Sequence, residues 1–212
     1  MNATGNSGDN NVINIRETSL TVAGSFGSVL MGRSLGIHQS NAILNDMTLF
    51  GVGATAGNIA GTTLGRIGLG YLYTDFQPQI SWTLPGVDAL NGNFGAKIGI
   101  FDPNTVASDT ATYSASDKHA PRVEAQITYN GGIGDLGVNL WVDGSYQNTE
   151  RTAAEAAAFD NAFTATAGAA DQYESNKDND VDSAAVGFGT KLSYQGFALV
   201  ATGFYGSGMG VR

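Results

Sequence analysis

The chain has 212 residues, enough for one large domain or two small ones. Charged residues make up 14%, below the roughly 25% of average soluble domains, yet no run approaches the roughly 20 apolar residues of a membrane helix. Cysteine is absent, which excludes a disulfide framework, and the net charge of −9 argues against a nucleic-acid partner.

Met1 to Asn11 is polar and glycine-rich, without the basic start or apolar core of a signal peptide. Gly206 to Arg212 breaks off in a glycine-rich stretch just after a strand. The chain therefore reads as an internal piece of a longer protein. A first strand is predicted from Val12 to Ala23, with Leu20 and Val22 on its apolar face. Gly24 to Gly27 is a tight turn. A second strand runs from Ser28 to Ser34, and a long segment follows, 35–62.

Thr63 to Leu84 alternates cleanly in both halves. Ile67, Leu69, Tyr71 and Tyr73 face one way. After Asp75 the phase flips, and Pro78, Ile80, Trp82 and Leu84 oppose Gln77, Gln79, Ser81 and Thr83. A period of two means a strand with unlike faces. The flip admits a hairpin at Asp75 or one long strand with a β-bulge. Later strands are predicted over Phe94–Phe101, Arg122–Asn130, Leu136–Gln147, Ser183–Tyr194 and Phe197–Tyr205. Their connections alternate long and short, and only the bulged-strand reading keeps that rhythm along the whole chain. Segments 102–120 and 148–181 are then long loops on one side, read as extracellular. Ala153–Phe159 has helical potential, but low-complexity loop is the preferred reading.

The apolar side of these strands is bulky and aromatic. The other side carries amides, hydroxyls, glycines and a few cations. A soluble barrel should show the reverse, whereas a barrel in lipid around a wet lumen is apolar outside and polar inside. The fold class expected is therefore all-β: an antiparallel transmembrane β-barrel. About eight strands are present, and the ragged ends argue for half of a 16-stranded barrel rather than a closed small one.

The stretch Arg16-Glu-Thr-Ser-Leu-Thr-Val-Ala-Gly-Ser-Phe-Gly-Ser-Val-Leu-Met-Gly-Arg33 resembles the general bacterial porins of Gram-negative outer membranes. There, an arginine-led strand, a Gly-Phe-Gly turn and a strand ending in Gly-Arg precede the third extracellular loop. Gln79-Ile-Ser-Trp-Thr-Leu-Pro85 and Asn91-Gly-Asn-Phe-Gly-Ala-Lys-Ile-Gly-Ile-Phe-Asp102 look like the strand, turn and strand after that loop. The resemblance implies a homotrimer in outer-membrane lipid, passing small hydrophilic solutes and ions by passive diffusion without a cofactor. It also implies that 35–62 folds into the lumen as a constriction, with Arg33 at it and Arg16 on the wall nearby. The loop departs from the family in having Asp46 as its only acid, where several are usual.

The residues add their own candidates. Arg66, Lys97, Arg122 and Lys191 lie on the polar parity, avoiding a lipid face where Arg or Lys costs up to ~2–4 kcal/mol at the midplane. Rings of fixed charge in a narrow pore set ion preference by sign. Arg33, Arg66, Asp46 and Arg16 are thus the expected constriction. Lys97, Arg122, Lys191 and Glu124 are the expected wall. Asp143 shares that parity, and the flanking loops are acidic, so the sign of net selectivity stays open. Polar-face glycines (Gly68, Gly70, Gly95, Gly99, Gly187, Gly189) either leave room for an inserted loop or ease curvature. Tyr129 and Tyr194, near turns, fit an aromatic girdle as well as ordinary β-propensity. Trp141 has the polar parity.

Asp178, Asp180 and Asp182 have the first spacings of a calcium loop but lack its glycine and final glutamate. No metal site is expected, nor an enzyme: there is no cysteine, no G-x-S-x-G elbow and no phosphate loop. The alternative function is a barrel with a closed lumen serving as an adhesin or structural protein. A soluble β-sandwich, with Ile67, Leu69, Tyr71, Ile80 and Trp82 as core, is a further rival.

Overall fold

The computed structural model describes residues 15–49, 65–67, 70–105, 115–164 and 180–208. Nine antiparallel strands form one sheet: β1 Thr18–Gly24, β2 Gly27–Leu35, β3 Phe76–Thr83, β4 Val87–Ala89, β5 Gly92–Phe101, β6 Arg122–Ile133, β7 Leu136–Glu150, β8 Asp180–Tyr194 and β9 Phe197–Ser207. Eight of them follow chain order across the sheet, and β4 pairs only with β5. The sheet is open, since β1 and β9 lie at opposite ends. The all-β, antiparallel expectation holds.

Tight turns join alternate strand pairs. Leu90 and Asn91 link β4 to β5, and Gln195 and Gly196 link β8 to β9. All four have positive φ, the geometry whose twist matches flanking strands in two-residue hairpins. Gly134 and Asp135 link β6 to β7. The long connections all emerge at the other end of the sheet.

Three elements differ from expectation. The first is 63–84. Among the described residues of this span only Phe76–Thr83 is strand, and Leu72–Asp75 is not, so the described chain runs neither as a bulged strand nor as a hairpin at Asp75. Tyr71 is 1% exposed and packs with Ala42 and Ile43 of the helix α1, Ser40–Leu44, joined by Ile67 and Tyr73. Ile67, Tyr71 and Tyr73 therefore belong to a small core inside the connection, not to a sheet face. Period two reports alternate burial, whatever provides it. The 102–120 segment nonetheless stays on the long-loop side. Thr63, Leu64, Gly68 and Leu69 lie outside the described residues, as do Val12 to Asn14 and Asp178.

The second is helix α2, Ala153–Thr164, where a loop was expected. Thr152 and Glu155 form a capping box: Thr152 N donates to Glu155 Oε2 at 2.8 Å, and Glu155 N to Thr152 Oγ1 at 3.4 Å. Desolvation pushes the Glu155 carboxyl up, but hydrogen bonds from Thr152 and Ser116 outweigh it and hold it below its ordinary value. The third is β4, too short to show a period.

Burial runs opposite to that of a soluble sheet. On β3, Gln77, Gln79 and Ser81 are buried while Ile80 and Trp82 are 50% and 42% exposed. On β6, Arg122 and Glu124 are buried and Val123 and Ile127 exposed. On β7 and β8, Asp143, Ser145, Gln147 and Ser183 are buried while Val142, Tyr146, Val186 and Phe188 are exposed. Directly paired residues share a face, so these positions join into one covered polar face and one bare apolar face.

Candidate functional site

The polar face is covered because the connection after β2 folds back across it. Gln79 Nε2 donates to Ser34 O and Leu35 O, both at 2.9 Å, where the chain leaves the sheet. Two wall carboxylates then receive the segment. Glu124 Oε2 on β6 accepts the backbone N–H of Ile37 at 2.7 Å and of His38 at 2.9 Å. Asp143 Oδ1 on β7 accepts the N–H of Gln39 at 3.0 Å and lies 2.6 Å from His38 Nδ1. Gln126 Nε2 adds longer bonds to Ile37 O and Ser40 Oγ. Both carboxylates are 3% exposed, and Arg122 pairs with Glu124 Oε1 at 2.9 Å. Charged acceptors on backbone N–H groups are among the stronger hydrogen bonds. Here they fix three successive residues of the connection on the wall.

Glycine provides the clearance. A Cβ on Gly187 would fall 2.1 Å from Gln39 Nε2 and 2.6 Å from Asp143 Oδ1. A Cβ on Gly189 would fall 2.1 Å from the Trp141 ring, which lies across it at 2% exposure. At these two positions the polar-face glycines make room for neighbours, so easing curvature is not their whole role.

Beyond α1 the segment is held by its one acid. Asp46 Oδ2 accepts from Arg66 N at 2.7 Å and from Tyr71 OH at 2.6 Å, and Oδ1 accepts from Thr48 N and Thr48 Oγ1. Desolvation pushes the Asp46 carboxyl up, but these four donors outweigh it and hold it below the ordinary carboxylate value. Desolvation, and then the Asp46 contact, push the Tyr71 phenol up. A depressed native value means that the staple's stability is complete above the unfolded Asp value near ~3.9 and is lost as pH falls through the native one. Asp46→Ala should cost about 2 kcal/mol of local stability. Faster amide exchange at Thr48 and Arg66, with the strands unchanged, is the expected readout.

The expected constriction residues do not converge. Register pairs Arg33 with Pro78 and Thr18, on the apolar face with Met31 and Ile80, and it is exposed there. Arg16 precedes β1 and lies over the ring of Phe76, 5.9 Å from its centroid. Neither reaches the polar face. The reason lies in Ser28–Arg33, whose Val29, Leu30 and Met31 are apolar on both parities, so that the sequence leaves its facing undetermined. Asp46 meets the backbone of Arg66, not its guanidinium, and the Arg66 side chain is exposed. The expected wall set is better gathered. Lys97, Arg122, Glu124 and Lys191 all lie on the polar face. Arg122 is drawn into pairing by Glu124 and Gln77, and stacks 5.3 Å from the Phe101 ring.

Sequence reasoning missed the latch made by His38, Glu124 and Asp143 with the backbone of 37–39. The buried acids at the centre of alternating strands were its available signal. Among the described residues no group of three or more side chains is arranged to hold a metal. Asp182 instead accepts bonds from Tyr146 OH and Asn148 Nδ2.

No family model matches the chain. No curated protein matches it, and no solved structure does.

Proposed function

We propose that this chain is part of an outer-membrane porin, contributing eight strands to a 16-stranded barrel that works as a trimer in a Gram-negative bacterium. Small hydrophilic solutes and ions would diffuse passively through its water-filled lumen. The observation that carries this reading is the reversed burial of the sheet. Charged and amide groups are covered by a connection folded across their face, while Ile80, Trp82, Ile127, Val142 and Phe188 remain bare on the other. A monomeric soluble protein rarely exposes a contiguous apolar patch of such extent. Lipid is the solvent in which that face is stable, and water is the medium that suits the opposite one.

Residues 36–49 would be the constriction, fastened to the wall by Glu124 and Asp143. Tyr129, whose hydroxyl donates to Leu90 O at 2.7 Å, and Tyr194 would sit at the interface near the short turns. Arg16 and Arg33 would lie near the long-loop rim, where a cation on the outer face costs only ~0–1 kcal/mol. No cofactor or catalytic group is needed. The test is planar-bilayer recording from the intact protein, refolded in detergent. Stepwise, long-lived ohmic openings are expected. A folded, heat-modifiable barrel that conducts nothing would favour a structural or adhesive role.

A further inference from the structure

We infer that Lys97 and Lys191 bias this lumen toward small hydrophilic anions. The inference rests on the porin reading and adds the charge class of the solute.

The polar face carries cations and acids together, so its sign depends on which of them still face open water. The acids are withdrawn. Glu124 and Asp143 are each 3% exposed beneath the folded connection, and Glu124 is also neutralised by Arg122. Asp143 lies against the His38 ring and accepts the N–H of Gln39. Asp46 is occupied by Tyr71, Thr48 and the backbone of Arg66. Arg122 is spent on Glu124 and Gln77, and Arg16 and Arg33 are on or beside the other face.

Two lysines remain. Lys97 lies in the row Thr83, Lys97, Gln126, Asp143, level with the latch. Lys191 lies four residues nearer the short turns, in the row Asn93, Asn130, Asn139, Lys191, about 13 Å along the strand. Both are partly exposed, and neither forms an ion pair among the described residues. The row between them carries Gly95, Thr128, Trp141 and Gly189, with no acid. The nearest acid by level is Asp88, which pairs with Asn93 four strands from Lys191, about 19 Å away. Glu124 is closer to Lys97, one strand across and two residues along, about 8 Å, and Asp143 stands two strands away, about 10 Å; both carboxylates are engaged in the latch. An anion passing below the connection therefore meets two partly exposed ammonium groups with no ion-pair partner among the described residues, while the Glu124 and Asp143 carboxylates are taken up by the latch.

The experiment is the reversal potential of the intact protein in a bilayer under a KCl gradient, compared with K97E/K191E and with the neutral K97Q/K191Q. The expected result is a chloride-favouring potential that weakens in the glutamine variant and changes sign in the glutamate variant. The permeability ratio should move by roughly tenfold. Heat-modifiable mobility on gels verifies that each variant is folded. Ohmic openings with the same potential in all three proteins would overturn this inference and leave the channel reading standing. A complete lack of openings in the folded wild-type protein would overturn both.

Discussion

Truncating both wall carboxylates, E124A with D143A, should free residues 36–49 from the polar face and raise single-channel conductance. Between them these groups accept the N–H of Ile37, His38 and Gln39 and meet the His38 ring. Arg122 would lose its ion-pair partner as well. Removing one partner from a buried charge network typically costs about 3–5 kcal/mol, because the remaining groups stay desolvated. Here the remaining groups can reach water only by lifting the connection off the wall. New protease cleavage within 36–49 should accompany the larger conductance, while the strands keep their amide protection. Unchanged conductance and resistance to cleavage in the double variant would show that other contacts hold the connection.

The second large effect is on the opposite face. Phe188 pairs with Val142, Val142 with Ile127, and Ile127 with Ala96, in one row across the apolar face. It is 51% exposed. In a soluble sheet, arginine at so exposed a site would change stability by about 0.5 kcal/mol or less. At the middle of a lipid-facing band the same change should cost about 2–4 kcal/mol. Reversible unfolding of Phe188→Arg in bilayers distinguishes the two environments by magnitude alone. A cost near zero would mean that this face meets water or is covered by protein that tolerates a cation.

Much of the sheet was legible because β3, β5, β6, β7 and β8 alternate between two unlike faces, one polar and covered, the other apolar and bare. Where one face must be apolar and the other polar, every second residue reports its side. Legibility failed wherever that contrast was missing. Ser28–Arg33 has apolar groups on both parities, so the facing of Arg33 came only from its pairing with Pro78. Residues 67–73 alternate because Ile67 and Tyr71 turn toward a core made by Ala42 and Ile43, and that core is invisible to a local pattern. The α2 helix carries a local signal, Thr152-Ala-Ala-Glu155 ahead of an alanine run, and its composition masked it. The wall residues Lys97, Arg122, Glu124 and Lys191 were found because strand parity is robust. The latch was not, because it joins side chains on β6 and β7 to backbone N–H groups about a hundred residues earlier, and only the folded connection brings them together.

The most direct measurement uses Trp82 and Trp141, which lie on opposite faces of this sheet. Trp82 is 42% exposed on the apolar face and Trp141 2% exposed on the polar one. Fluorescence of the intact protein in bilayers with brominated acyl chains, compared with W82F and W141F, isolates each signal by difference. Strong acyl-chain quenching of Trp82 and little of Trp141 is the expected result. Trp82 quenched by aqueous iodide and untouched by brominated lipid would contradict it, and would return the apolar face to a soluble or protein-covered setting.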